Sequence, residues 1–110
     1  MTKQIVLKNM LQGGWRDCAF EYFRDGIEIC RLVSGAPEVA LLRYQPGASA
    51  PLHLHQGLEM IVILEGSQRD DYGVAEVGAV ILNPAGTRHA VATDDGCVVL
   101  VQWERPVAFL

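Results

Sequence analysis

The sequence predicts one all-β domain, a sandwich or barrel of short strands. Three observations carry that expectation. The apolar residues fall in runs of strand length, turn-forming residues recur about every ten positions, and 110 residues suit one core rather than two. Taken in chain order, helical character is expected only within the first ~15 residues, and 1–20 read as an arm ahead of a barrel at 21–110. Runs rich in Val, Ile, Leu and aromatics follow at 27–33, 39–44, 59–65, 79–83 and 97–103. The turns around them are Arg24-Asp25-Gly26, Ser34-Gly35-Ala36-Pro37, Gln45-Pro46-Gly47, Asp71-Tyr72-Gly73, Asn83-Pro84-Ala85-Gly86 and Asp94-Asp95-Gly96. Shorter strands are expected at 67–70, 74–76 and 88–92.

Composition narrows the function classes. Half the residues are apolar and a fifth are charged, which excludes disorder. No apolar run approaches the ~18 residues of a membrane-crossing helix. Nine basic residues stand against thirteen acidic ones, and the basic ones are scattered. There is no stripe of positive charge to grip phosphates, so no nucleic acid and no membrane is expected as a partner. The opening Met-Thr-Lys-Gln-Ile-Val-Leu-Lys lacks the apolar core of a signal peptide. Cys18, Cys30 and Cys97 form no C-x-x-C pair, and an odd count argues against a disulfide scaffold. The expectation is a cytoplasmic protein with reduced thiols. Several strands, Met60-Ile61-Val62-Ile63-Leu64 among them, are apolar on both faces. One face can fill a barrel; the other needs cover, and a homodimer is the expected cover.

All three histidines belong to one arrangement. The first segment runs Gly47, five residues, His53, one residue, His55, three residues, Glu59, six residues, Gly66. Side chains alternate along a strand, so the even spacings of 53, 55 and 59 can set two imidazoles and a carboxylate on one face. The second segment runs Gly78, five residues, Pro84, one residue, Gly86, two residues, His89. Its Pro-Ala-Gly turn can deliver a third imidazole to the same point. Alone, an H-x-H pair is more often a pair of hydrogen-bonded strand histidines. Here both spacings hold together, with Gly and Pro at the turns. Three imidazoles and a carboxylate suit a divalent transition metal such as Fe, Zn, Ni or Mn. They close a tetrahedral zinc site and leave two positions open on an octahedral ion, where an oxygen ligand could bind.

These segments resemble the two motifs of the cupin superfamily, G-x5-H-x-H-x3-E-x6-G and G-x5-P-x-G-x2-H-x3-N. Nine of the ten defining positions match, and Thr93 replaces the final Asn. The resemblance implies a cupin-type double-stranded β-helix, a small jelly-roll barrel that is usually dimeric, with His53, His55, Glu59 and His89 as metal ligands. Within the superfamily, Phe23-Arg24-Asp25-Gly26-Ile27-Glu28, Ala40-Leu41-Leu42-Arg43-Tyr44-Gln45-Pro46-Gly47, Asp70-Asp71-Tyr72-Gly73 and Asn83-Pro84-Ala85-Gly86-Thr87-Arg88-His89 are similar to one subgroup. It holds the C-terminal domain of ChrR-type anti-sigma factors and related stand-alone cupins. In those factors a separate helical domain with its own zinc site holds the sigma factor. No histidine precedes His53, so only the metal-binding sensory barrel is carried over.

Two functions are therefore expected. One is a sensory or regulatory module holding a small molecule in its barrel. The other is an Fe(II)-dependent dioxygenase acting on a small dicarbonyl-type or other oxygenated compound, as several cupins do. No nucleophilic triad or phosphate-cradling loop offers a third. Ile61 and Ile63 share the parity of Glu59 and should line an apolar cavity, while Arg43, Tyr44, Gln68, Gln102 and Trp103 are the candidates to reach its mouth. Trp15 is expected to anchor the arm, and Cys97 to be a buried, inert thiol.

Overall fold

The computed structural model describes residues 3–110; Met1 and Thr2, the start of the expected arm, lie outside them. Ten strands follow two 3-10 turns at Met10–Gln12 and Gly14–Asp17. The strands are β1 (Glu21–Arg24), β2 (Ile27–Val33), β3 (Glu38–Tyr44), β4 (Ser49–Leu54), β5 (Glu59–Asp70), β6 (Gly73–Glu76), β7 (Val80–Asn83), β8 (Arg88–Ala92), β9 (Cys97–Trp103) and β10 (Ala108–Phe109). They form one curled sheet in the order β1-β2-β3-β9-β5-β8-β4-β10, with β6 and β7 also paired to β5. The long strand β5 makes the curl possible. Its first half pairs with β7 and β9, and its second half with β6 and, at Arg69, with β8. A register shift between Ile63 and Glu65 sets the turn from one half to the other. This is the cupin-type jelly-roll barrel.

Inside, Ile27, Ile29, Leu42, Ile61, Ile63, Val91, Val99 and Val101 form the main core. Of the two isoleucines expected to line the cavity, both are buried in this core and Ile61 lines the barrel interior. Gly66 shows why the first motif needs its closing glycine. Its φ is +71°, and a Cβ there would collide with the Gly96 carbonyl oxygen. Thr93, the one departure from the motif, is 2 % exposed and donates its hydroxyl to the Ser67 carbonyl at 2.7 Å, tying β8 to β5.

A second cluster lies on the other face of the same strands, where Leu41, Leu64 and Val98 are buried under Trp15. Trp15 meets Phe20 edge-on at 6.5 Å and carries the Arg16 guanidinium over its ring at 4.5 Å. The chain's own arm thus covers the apolar outer face for which a second subunit was expected. Among the described residues the arm's helical content is limited to the two 3-10 turns, because Asn9 and Gly13 both adopt left-handed backbone and interrupt any longer helix. Strands β1, β4 and β10 were missed by periodicity. Each is short or carries the polar residues of the site.

Candidate metal centre

Register places the candidate residues. On β4 and β8, His53 and His89 are directly paired. His55 lies just past the end of β4, where its backbone N–H donates to the Thr87 carbonyl and its own carbonyl accepts from Gly86. The Pro84-Ala85-Gly86 turn therefore docks on His55, as the second segment's spacing required. Glu59 opens β5, paired with Trp103 of β9 and Asn83 of β7. The chain bends at Gln56 and Gly57 between His55 and Glu59, so the parity argument holds for His53 and His55 alone.

His53, His55 and His89 are buried, and one ring nitrogen of each lies within 4.8 Å of the others. Their rings meet edge-on at centroid distances of 4.7–5.1 Å. Each Nδ1 has its own partner: the Pro51 carbonyl for His53 at 2.8 Å, the Thr87 carbonyl and hydroxyl for His55 at 3.1 and 3.0 Å, and the Asp70 carboxylate for His89 at 2.8 Å. The Thr87 hydroxyl donates to the Pro84 carbonyl, so it can only accept from His55. These acceptors place the ring proton on Nδ1 in all three residues and leave Nε2 as a bare lone pair.

The Nε2 atoms of His55 and His89 are buried with no hydrogen-bond partner. Beside them stands Glu59, its Oε1 3.1 Å from His55 Nε2 and 4.0 Å from His89 Nε2. The 3.1 Å contact is close without hydrogen-bond geometry, two acceptors facing each other across a gap. Trp103 Nε1 donates to Oε2 of Glu59 at 2.6 Å, and Asn83 Nδ2 to Oε1 at 2.9 Å. Burial pushes the Glu59 carboxyl up, and the hydrogen bonds that Trp103 and Asn83 donate pull it down and favour the anion. Burial, only partly offset by the Pro51 carbonyl, keeps the His53 imidazole below its usual value. The result is an anion held facing lone pairs that need a cation. That donor set and those orphaned nitrogens fit a divalent transition metal.

The barrel interior beside the histidines is small, a cavity of about 30 Å³. Phe23, Arg24, Val107 and Phe109 wall it at one end; Phe109 packs on the His53 ring at 5.5 Å under the Arg24 guanidinium. Of the residues expected at a mouth, Tyr44, Gln68 and Trp103 line this space. Arg43 and Gln102 do not. Arg43 lies over the Phe20 ring and pairs with Glu28, and Gln102 is exposed. Cys97 is buried in the core, and burial pushes its thiol up to about 12, which makes it inert. Burial, and then the neighbouring Cys30, also raise the Cys18 thiol. Sequence reasoning missed Asp70, Asn83 and Thr87. Asp70 read as the end of a short strand and Asn83 as the start of a turn, and Thr87 carried no reading of its own, because their partners are distant in sequence.

The model of the ChrR cupin-like domain matches residues 10–106. The anti-sigma-E factor ChrR of Cereibacter sphaeroides is 29 % identical over 87 residues, 76 % of this chain and 41 % of that protein. The chain thus spans less than half the length of that relative. Among solved structures, ChrR in complex with SigE from Rhodobacter sphaeroides superposes with a TM-score of 0.76 at 21 % identity, covering 86 % of this chain and 54 % of the other. An acetylacetone dioxygenase from Acinetobacter johnsonii superposes with a TM-score of 0.80 at 14 % identity, covering all of this chain and 78 % of the other.

Proposed function

The chain belongs to the family of ChrR cupin-like domains, and we propose that it holds one divalent transition metal through His53, His55, His89 and Glu59 as a sensory or regulatory module. The observation that carries this reading is the pair of buried, partnerless Nε2 atoms facing the Glu59 carboxylate. Each ligand is oriented by a further group: Pro51 for His53, Thr87 for His55, Asp70 for His89, and Trp103 with Asn83 for Glu59. Such partners fix the tautomer and strengthen the donor. A bound metal would supply Lewis acidity and, for iron, redox chemistry at that point. The protein supplies the anion, the three lone pairs and an apolar wall around them.

The second reading is an Fe(II)-dependent dioxygenase for small dicarbonyl compounds, favoured by the shared fold with the acetylacetone dioxygenase. Interior space weighs against it. A cavity of about 30 Å³ has room for about two waters, far less than a five-carbon diketone needs. A small ligand of that size is the occupant the barrel fits. Three free cysteines suit a reducing compartment such as the cytoplasm. Where a second copy pairs with this one, the β7 edge offers the surface, since Val80 and Leu82 are exposed there and the arm covers the face of β3 and β9.

Metal analysis of protein purified without chelator or nickel resin tests the proposal. One divalent transition metal per chain is expected. Protein that retains none after incubation with equimolar Fe, Zn, Ni or Mn would contradict it.

A further inference from the structure

A cavity larger than the barrel interior lies outside it. It is a cleft of about 380 Å³ between the β5–β6 hairpin and the β7–β8 turn, within the size range of small-molecule sites. Gln68, 3 % exposed, lines both spaces and so separates the cleft from the histidines. The cleft wall also contains the three side chains that hold the site residues in place. Asp70 accepts from His89, Thr87 accepts from His55, and Asn83 donates to Glu59.

The chemistry of the wall specifies its occupant. Val74, Ala75, Ile81 and Pro84 make it mostly apolar. Its polar end presents the Asp70 carboxylate and the Gln68 and Asn83 carboxamides, which have donor and acceptor capacity to offer. Arg69 is turned to Asp94, 3.2 Å away in solvent, so no unpaired cation faces the Asp70 charge. An anionic ligand would meet that carboxylate without a counter-charge. An uncharged molecule with an apolar body and a hydroxyl donor would satisfy both parts of the wall.

We propose that this cleft binds such an uncharged, hydroxyl-bearing apolar molecule, and that the occupant acts on the histidine centre through Asp70. The binding half stands by itself; the coupling to a metal rests on the reading given above. A hydroxyl donating to Asp70 draws on the carboxylate that accepts from His89 Nδ1 and weakens the imidazole as an electron donor. Linkage is reciprocal: an occupant that loosens the metal is itself bound less tightly when metal is present, by the same factor.

The probe is 2-naphthol, read by its own fluorescence in the full chain, with and without Co(II). The expected result is saturable binding of one naphthol per chain. Filling the cleft by Ala75→Trp, or by Val74→Trp on the exposed hairpin should Ala75→Trp not fold, should weaken binding at least tenfold. The anion 2-naphthoate should bind at least tenfold more weakly than 2-naphthol. At saturation the visible spectrum of bound Co(II) should shift, and in metal-free protein the His89 Nδ1 proton resonance should move. Undiminished binding in the folded filling variant, or naphthoate binding as tightly as naphthol, overturns the site. A spectrum and a resonance that both stay still at saturation overturn the coupling. Failure to hold Co(II) counts against the metal centre alone, because naphthol binding and the His89 resonance are still read.

Discussion

Replacing Trp103 with Phe isolates the hydrogen bond that holds the candidate carboxylate. The indole Nε1 donates to Glu59 Oε2 at 2.6 Å, and both side chains are buried. A hydrogen bond to a buried charge is worth about 1.5–3 kcal/mol, and its loss leaves that oxygen without its donor. The smaller ring keeps the stack on Phe23 but leaves extra space, adding about 1 kcal/mol. Metal-free protein should therefore lose about 2.5–4 kcal/mol in urea unfolding at pH 7. The refined test is a double-mutant cycle with Glu59→Gln. With a neutral amide at 59 the same Trp103→Phe change should cost about 1–2 kcal/mol, giving a coupling of at least about 1 kcal/mol. Costs that add within about 0.5 kcal/mol would show that the indole does not hold the carboxylate, and the ordered anion beside the histidines would lose its main support.

Three further outcomes are expected. Asp70→Asn removes the charge that accepts from His89 Nδ1 at 2.8 Å and should lower metal affinity about 10- to 100-fold in a competition titration; an unchanged affinity would remove Asp70 from the site. Trp15→Ala should cost about 3 kcal/mol and promote self-association seen by light scattering, because the face over Leu41, Leu64 and Val98 loses its cover. Metal-free protein should also lose stability as pH falls below about 6.5. There the unfolded His53 takes up a proton while the buried one resists, with a slope of up to about 1.4 kcal/mol per pH unit until the folded imidazole titrates. A slope that survives unchanged in His53→Gln would assign it elsewhere.

The barrel was legible because its signals are local. Apolar runs and turn dipeptides mark most strands, Gly66 sits where close backbone approach needs it, and Gly86 sits where its turn needs a positive φ. The three histidines were legible through spacing. What holds them was not. The contact of Asp70 with His89, of Thr87 with His55, and of Asn83 and Trp103 with Glu59 each joins residues on different strands, and no periodicity records which strands become neighbours. The part of the outer face that the arm covers was not legible for a related reason. Apolar alternation shows that a face must be buried, and only packing shows that Trp15 and Phe20 bury it.

X-ray absorption at the zinc edge of zinc-loaded protein tests the central claim most directly, because it counts the atoms around the ion. Three imidazole nitrogens at about 2.0–2.1 Å and one carboxylate oxygen at a similar distance are expected, with His55→Ala removing one imidazole from the count. A sulfur neighbour at about 2.3 Å, or a shell that His55→Ala leaves unchanged, would contradict a metal held by His53, His55, His89 and Glu59.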